Sequence, residues 1–252
     1  MSVTFAPDHL RASLRPLAEW QPLSEEAQAY QRFYGLDFPG RQLRRGLGRF
    51  EVDAYDVVGQ VWWPERAKAT LFVFHGFYDH TGLYRHVIEW ALNQDFAVIA
   101  CDLPGHGLSS GERASINDFA EYQDTLQGLF AEAKSLDLPQ PWHLCGQSTG
   151  GAIVIDHVLN EGAGSPAQGQ VILLSPLVRP RAWGWSQLSY YLLKPFLEAD
   201  PLQPRQLPTA WVGALARWIK RIEAAPDSTR RPLIVQGQAD MTVDWQLSLI
   251  HI

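Results

Sequence analysis

The sequence predicts an α/β fold, with a mostly parallel sheet and helices on both of its faces, and two observations lead to this prediction. Five short apolar runs follow one another along the chain, and most are followed by a turn and then by apolar residues at helical spacing. The runs are apolar apart from Thr70 and His143, which is typical of strands that are buried on both faces. The runs are residues 70–74, 96–101, 142–145, 171–174 and 233–235.

The length and composition indicate a packed globular protein. The 252 residues allow one large domain or two small ones, and 46% of them are hydrophobic against 19% charged. The 21 Lys and Arg residues are outnumbered by 27 Asp and Glu residues, which argues against a nucleic-acid partner held by phosphate attraction. No apolar run approaches the roughly 18 residues that a transmembrane helix needs, so we expect none.

Two elements precede the apolar runs. Residues 1–46 are a lead-in expected to pack on the core, and within it Ser24 precedes two glutamates and then apolar residues at helical spacing, which predicts a helix. Residues 48–63 alternate between apolar and polar, which predicts an antiparallel hairpin with its break near Gly59. The core itself is expected to span residues 47–176 and 232–246.

Two features favour a cytoplasmic location. No stretch of residues 1–20 is apolar enough for a signal peptide, so secretion is unsupported. Cys101 and Cys145 lie in apolar runs without metal-ligand spacing, which predicts buried thiols in a reducing compartment.

The residues that follow the apolar runs are the ones to examine for chemistry, because ligands of such sheets bind outside the carboxyl ends of the strands. The third run is followed by Gly146-Gln147-Ser148-Thr149-Gly150, which fits the nucleophile-elbow pattern G-x-S-x-G and stands between a strand and a helical segment. The strand and helix around it favour Ser148 as a nucleophile over the alternative, a flexible glycine-rich loop. The first, second and fifth runs are followed by His75-Gly76-Phe77, by Asp102-Leu103-Pro104-Gly105-His106-Gly107 and by a segment with Gly237-Gln238-Ala239-Asp240.

These four motifs in this order resemble those of the α/β-hydrolase fold, and more narrowly its monoacylglycerol lipase and lysophospholipase branch, which is related to serine aminopeptidases. The resemblance covers roughly residues 49–245. One departure is Gln147, where many members carry His; it lines the elbow and leaves the role of Ser148 little affected.

The resemblance implies further roles. The backbone N–H groups of Phe77 and Thr149 are expected to form the oxyanion hole, and Asp240 is expected to orient a catalytic histidine. An alternative for Asp240 is a helix N-cap for a segment that starts near Val243. Asp244 is a second choice for the acid, and His75 and His106 are interpreted as structural.

Residues 177–231 interrupt the alternation of strands and helices and are interpreted as a helical cap inserted before the acid-bearing strand. The resemblance implies a lid here, and its aromatic residues suit an acyl chain, although they could simply pack on one another. The candidate substrate-binding residues of the cap are Trp183, Trp185, Tyr190, Tyr191 and Phe196.

The histidine of the expected Ser, Asp, His order has one candidate in the sequence. Only His251 follows Asp240, and it comes 11 residues later, too few for the helix and strand that the resemblance implies. Residues 247–252 resemble the translation of a transposon end used as a sequencing adapter. We therefore expect the natural sequence to stop near residue 246, with the last strand and helix missing and residues 247–252 non-native.

The expected function is hydrolysis of a monoacylglycerol or lysophospholipid-like ester through an acyl-enzyme on Ser148, with activity impaired by loss of the histidine. The alternatives are a peptidase of the same fold and a non-catalytic binding protein on a hydrolase scaffold. The partner is a small-molecule acyl ester, with no nucleic acid, and the cap could contact a membrane transiently. No cofactor and no metal site are expected, because no histidines have metal-ligand spacing.

Overall fold

A computed structural model of the chain describes residues 5–161, 164–180, 202, 208–226, 228–237, 240 and 243. Its strands are β1 (Leu43–Val52), β2 (Tyr55–Pro64), β3 (Ala69–Phe74), β4 (Phe96–Cys101), β5 (Trp142–Gln147), β6 (Val171–Leu174) and β7 (Leu233–Val235). Its α-helices are α1 (Pro7–Ser13), α2 (Glu25–Phe33), α3 (Arg85–Asn93), α4 (Ala120–Ser135), α5 (Thr149–Glu161) and α6 (Thr209–Glu223). The seven strands of the described residues form one sheet in the order β1-β2-β4-β3-β5-β6-β7.

The fold-class prediction is confirmed, since all five apolar runs are strands. β3 to β7 pair in parallel, whereas β2 pairs antiparallel with both β1 and β4. β3 shows why the runs are mostly apolar, because its side chains alternate between two buried clusters. Phe72 and Phe74 pack in one cluster with residues of α4 and α5, and Leu71 and Val73 pack in the other with residues of α3.

The helix predicted after Ser24 is α2. The Ser24 hydroxyl accepts a hydrogen bond from the backbone N–H of Ala27 at 3.1 Å and so caps the first turn. Tyr30 is fully buried on its inner face. Leu10 and Tyr30 of the lead-in both belong to the buried cluster on the α3 side of the sheet.

The hairpin is confirmed, but the predicted position of its break is wrong. The turn lies between Val52 and Tyr55, and Asp53 there takes a φ of 48°. Gly59 lies in the middle of β2, opposite Gly48 of β1. A Cβ on Gly59 would lie 2.7 Å from the Leu17 side chain. The missing side chain at Gly59 therefore lets Leu17 of the lead-in pack against the hairpin, and Gly59 forms no turn.

Helix α6 lies within the predicted cap, and its inner face packs on the core. Its residue Trp218 stacks on Phe119 with ring centroids 4.7 Å apart. Arg221 forms an ion pair with the buried Asp156 of α5, at 2.5 Å. The boundaries 177–231 stay a prediction, and Trp183, Trp185, Tyr190, Tyr191 and Phe196 lie outside the described residues.

The helices and the two cysteines bear on the expectations about membrane spans and thiols. No helix in the described part of the chain combines the length and the apolar composition that a membrane-spanning helix needs. Cys101 and Cys145 are free and buried, as predicted for both.

Candidate active site

Ser148 occupies the turn between β5 and α5, in a conformation that its residue type rarely adopts. Its φ is 48°, in the left-handed region that disfavours side chains. The surrounding backbone holds the turn: the Ser148 N–H donates to the carbonyl of Leu174 at 3.0 Å, and its carbonyl accepts from Ala152 at 3.0 Å and from Leu177 at 2.9 Å. This strained strand-to-helix turn is the geometry that the G-x-S-x-G pattern requires.

The two glycines of the pattern are explained by how closely the chain folds on itself. A Cβ on Gly146 would lie 2.3 Å from the carbonyl oxygen of Gly150, and a Cβ on Gly150 would lie 2.1 Å from that of Phe74. Real Cβ atoms do not approach backbone this closely, so side chains at either position would push β5, α5 and β3 apart. The glycines therefore fix the height at which Ser148 stands above the sheet.

The loop that follows β3, residues 75–80, lies against Ser148, and we call it the β3 loop. A Cβ built on Gly76 would lie 3.5 Å from the Cβ of Ser148. The N–H groups of Phe77 and Thr149 have no hydrogen-bond partner among the described residues. That of Thr149 belongs to the first residue of α5, where unpaired N–H groups and the positive end of the helix dipole favour an anion. The two predicted oxyanion donors are therefore both available, and their role stays a prediction.

His75 has both ring nitrogens occupied by the backbone. Its Nδ1 lies 2.7 Å from the carbonyl oxygen of Gly76, and its Nε2 accepts from the N–H of Leu103 at 2.8 Å. A carbonyl only accepts, so we assign the proton to Nδ1 and the ring is neutral. Burial lowers the pKa of His75, in keeping with this assignment. The ring shapes the β3 loop and has no free nitrogen with which to act as a base.

The glycine-rich loop after β4 is held by buried polar groups. The Asp102 carboxylate accepts from the N–H groups of Thr81 and Leu108, both at 2.8 Å, and thereby ties this loop to the β3 loop. His106 directs Nδ1 at the carbonyl of Pro104 at 2.9 Å, and burial lowers the pKa of His106 to about 3. A ring that stays neutral in this way is suited to a structural role.

The remaining buried histidines, His80 and His157, form hydrogen bonds with residues close to them in sequence. His80 accepts from the N–H of Gly82 through Nδ1 at 3.1 Å, and His157 lies 2.7 Å from the Ser165 hydroxyl through Nε2. The hydrogen bonds of His75, His106 and His157 given above go to groups other than the Ser148 hydroxyl. His251 lies outside that part.

Asp240 follows β7, which lies two strands from the strand that carries Ser148. One carboxylate oxygen accepts from the side-chain amide of Gln236 at 2.9 Å, and the other accepts from the N–H of Val243 at 3.1 Å. The second bond is the one that the N-cap alternative predicts. The role of Asp240 as the catalytic acid stays a prediction, and Asp244 lies outside the described residues.

An apolar wall beside the β3 loop was not identified from the sequence. The Phe77 ring stacks on Trp211 of α6, with centroids 3.8 Å apart and planes inclined by 26°. The indole N–H of Trp211 donates to the Tyr122 hydroxyl at 3.2 Å, which fixes the ring. The helical spacing of α6 predicts that Trp211 is buried, but nothing in the sequence predicts that it meets Phe77.

Comparisons with known proteins identify the family of this chain. A family model described as serine aminopeptidase, S33 matches residues 65–196, more than half of the chain. Monoglyceride lipase of Homo sapiens is 38% identical over 120 residues, which are 46% of this chain and 38% of that protein. Phospholipase YtpA of Bacillus subtilis is 32% identical over 115 residues, which are 46% of this chain and 43% of that protein. The matched region thus spans less than half the length of either relative.

Solved structures extend the likeness to most of the chain. A soluble variant of monoglyceride lipase from Saccharomyces cerevisiae, in complex with a substrate analog, superposes with a TM-score of 0.64 at 17% identity and covers 82% of this chain and 80% of that one. Est1E from Butyrivibrio proteoclasticus, with bound ferulic acid, gives 0.59 at 20% identity and covers 81% and 83%. At these identities the likeness establishes the fold alone.

Proposed function

The chain belongs to the serine aminopeptidase S33 family and has the α/β-hydrolase fold, and from this premise we propose that it hydrolyses carboxylic esters of the monoacylglycerol or lysophospholipid type. The observation that carries the proposal is the environment of Ser148. Ser148 lies on a strained turn against which the β3 loop packs, and the backbone N–H groups of Phe77 and Thr149 have no partner among the described residues.

The proposed mechanism is acyl transfer to Ser148. The Ser148 oxygen attacks the ester carbonyl while a base takes the hydroxyl proton, and the negative charge that develops on the carbonyl oxygen is stabilised by the N–H groups of Phe77 and Thr149. The alcohol leaves with a proton from the base, and water then hydrolyses the acyl-enzyme with the same base assisting. No cofactor takes part in this proposal.

The base is the part of the mechanism that the described residues do not supply. Burial lowers the pKa of both His75 and His106, and each ring is buried and bound to the backbone of its own loop, so neither suits the role. We propose that Asp240 orients a histidine that lies outside the described residues and acts as the base. Loss of the histidine in a serine hydrolase lowers kcat by a factor on the order of 10⁶.

The ester class is proposed from apolar surface near the site and from the relatives. The Phe77 and Trp211 rings form an apolar wall beside the β3 loop, which suits an acyl chain better than a sugar or a phosphate. The proposal includes contact of the acyl chain with the five aromatic residues of the predicted cap and transient contact of the cap with a membrane during substrate transfer. The free, buried thiols of Cys101 and Cys145 fit the cytoplasmic location included in the proposal.

A fluorophosphonate probe tests the proposal, because it labels only a serine that is activated as a nucleophile. We expect labelling of the protein to be lost in Ser148→Ala and kept in Ser13→Ala, an exposed serine. The labelled protein is expected to release fatty acid from monoacylglycerol or lysophospholipid faster than it cleaves aminoacyl anilides. Labelling that survives Ser148→Ala would refute the nucleophile.

A peptidase is the second candidate, because the matching family model is described as a serine aminopeptidase. The same substrate panel decides between the two. Turnover of aminoacyl anilides above that of long-chain esters favours the peptidase, whereas an unlabelled and inactive protein favours a binding protein on a hydrolase scaffold.

A further inference from the structure

The N–H of Gly76, next to the proposed oxyanion donor Phe77, is bound by a side chain. It donates to the Tyr84 hydroxyl at 2.7 Å, and that hydroxyl also lies 3.0 Å from a carboxylate oxygen of Asp79. The Tyr84 side chain is buried, with 5% of its surface exposed. Three groups therefore meet at Gly76 on the side of the β3 loop that faces Ser148: the Tyr84 hydroxyl, the Asp79 carboxylate and the Ser148 Cβ.

The direction of each hydrogen bond in this group is fixed by chemistry. A backbone N–H can only donate, so the Tyr84 oxygen accepts from Gly76. A carboxylate only accepts, so the Tyr84 hydroxyl donates to Asp79. Burial, followed by the nearby Asp79 charge, raises the pKa of Tyr84 well above its ordinary value, and the hydroxyl keeps the proton that this arrangement needs.

The carbonyl of Gly76 is bound as firmly as its N–H. It lies 2.7 Å from Nδ1 of His75 and accepts from the N–H of Asp79 at 3.2 Å. Gly76 C=O and Phe77 N–H belong to one planar trans peptide and point in opposite directions. Holding the carbonyl therefore also fixes the direction of the Phe77 N–H.

We propose that Tyr84 and Asp79 are positioning residues for the oxyanion hole, a role that rests on the proposed function. Through the Tyr84 hydroxyl they fix the peptide before Gly76, while His75 and the Asp79 N–H fix the peptide after it. The Gly76 N–H is kept out of the site and the Phe77 N–H is kept in place to meet a developing oxyanion. Oxyanion donors act because they already point at the place where the charge develops. A misdirected donor therefore weakens stabilisation of the transition state and leaves substrate binding nearly unchanged.

The first test is Tyr84→Phe, which removes only the hydroxyl. Removal of an oxyanion donor lowers kcat by about 10²- to 10³-fold, so displacement of one is expected to lower kcat by about 10- to 100-fold. KM for the ester is expected to change less than about twofold, since the contact matters in the transition state. Tyr55→Phe is the matched control, because it also removes a tyrosine hydroxyl that donates to a carboxylate. The Tyr55 hydroxyl lies on the hairpin and donates to Glu121 at 2.5 Å.

A trifluoromethyl ketone separates positioning from general loss of structure. Its adduct with Ser148 carries an oxyanion, so its affinity for Tyr84→Phe should fall by the same factor as kcat/KM. Binding of the fatty-acid product, which carries no tetrahedral oxyanion, should stay unchanged. A role in stability alone would lower the fraction of folded protein and leave the affinity of the folded fraction intact.

The Asp79 side chain is tested by a conservative pair. Asp79→Asn keeps an oxygen that can accept from the Tyr84 hydroxyl and is expected to retain most of kcat, whereas Asp79→Leu is expected to reproduce Tyr84→Phe. Equal kcat and ketone affinity in the parent chain, Tyr84→Phe and Asp79→Leu would overturn the inference and leave the proposed function standing. A parent chain that neither labels with fluorophosphonate nor turns over esters would overturn both.

Discussion

Phe77 and Trp211 stack face to face at 3.8 Å, and through this contact a helix from the far end of the chain covers the β3 loop. Trp211 is 6% exposed and its indole N–H is hydrogen-bonded to Tyr122, so the ring has a defined place. The contact joins two segments that are separated in sequence by three strands. Several properties of the protein are expected to depend on α6 for that reason.

The first prediction concerns the stability that this contact provides. Trp211→Ala is expected to lower the free energy of unfolding by about 3–5 kcal/mol, because it leaves a cavity under Phe77. Urea unfolding measures the change. Trp90→Ala, at a position that is 45% exposed, is the control and is expected to stay within about 0.5 kcal/mol of the parent chain.

The second prediction concerns the glycines at the turn of Ser148. Gly150→Ala places a Cβ 2.1 Å from the carbonyl oxygen of Phe74, so β3 and α5 must separate, and we expect the folded protein to be lost or to unfold at a much lower urea concentration. Gly213→Ala in α6 is the matched change. Its Cβ would come no closer than 3.6 Å to another residue, and it is expected to stabilise the protein by about 0.5–1 kcal/mol. Equal effects of the two substitutions would contradict the explanation.

The third prediction concerns the ion pair between Arg221 and Asp156. Burial raises the pKa of Asp156 and Arg221 opposes this rise, so removal of Arg221 leaves a buried carboxylate without its counter-charge. We expect Arg221→Met to lower the free energy of unfolding by about 1–3 kcal/mol at pH 7. The double variant with Asp156→Asn should recover part of the loss.

The pH dependence of this effect follows from the sign of the shift. The folded pKa of Asp156 is raised, so the folded state binds more protons than the unfolded state between the two pKa values, and stability falls as the pH rises through that window. Arg221→Met should steepen this fall. A loss of the same size at pH 4 and at pH 7 would show that the charge of Asp156 is not its cause.

The parts of the fold that depend on local pattern could be predicted from the sequence, and those that depend on distant contacts could not. Continuous apolar runs predict β4, β6 and β7 to the residue. Burial on both faces explains the apolar run of β4, whereas Leu233 and Val235 of β7 are more than half exposed. Gly59 was misplaced because a glycine within a strand and a glycine in a turn have the same local signal. Only the presence of Leu17 against the hairpin distinguishes them.

The same division applies to the candidate site. The elbow around Ser148 is a contiguous motif, so its geometry could be predicted. Tyr84 and Asp79 lie a few residues after the His-Gly pair and carry no motif of their own. Their relation to Gly76 depends on how the β3 loop folds back. Asp240 fits two interpretations, because a carboxylate after a strand serves equally as a helix cap or as a catalytic acid.

The last prediction concerns His106, whose pKa is lowered to about 3 by burial, with the nearby His75 and Arg113 adding to the effect. An unfolded histidine titrates near 6.5, so between about pH 3 and 6.5 the unfolded state binds the additional proton and stability rises with pH. His106→Gln should remove up to about 1.4 kcal/mol per pH unit from the slope of unfolding free energy in that range. Urea unfolding at pH 4, 5, 6 and 7 measures the slope. His86→Gln, at an exposed position, should leave it unchanged, and an unchanged slope in both variants would mean that His106 does not titrate on unfolding.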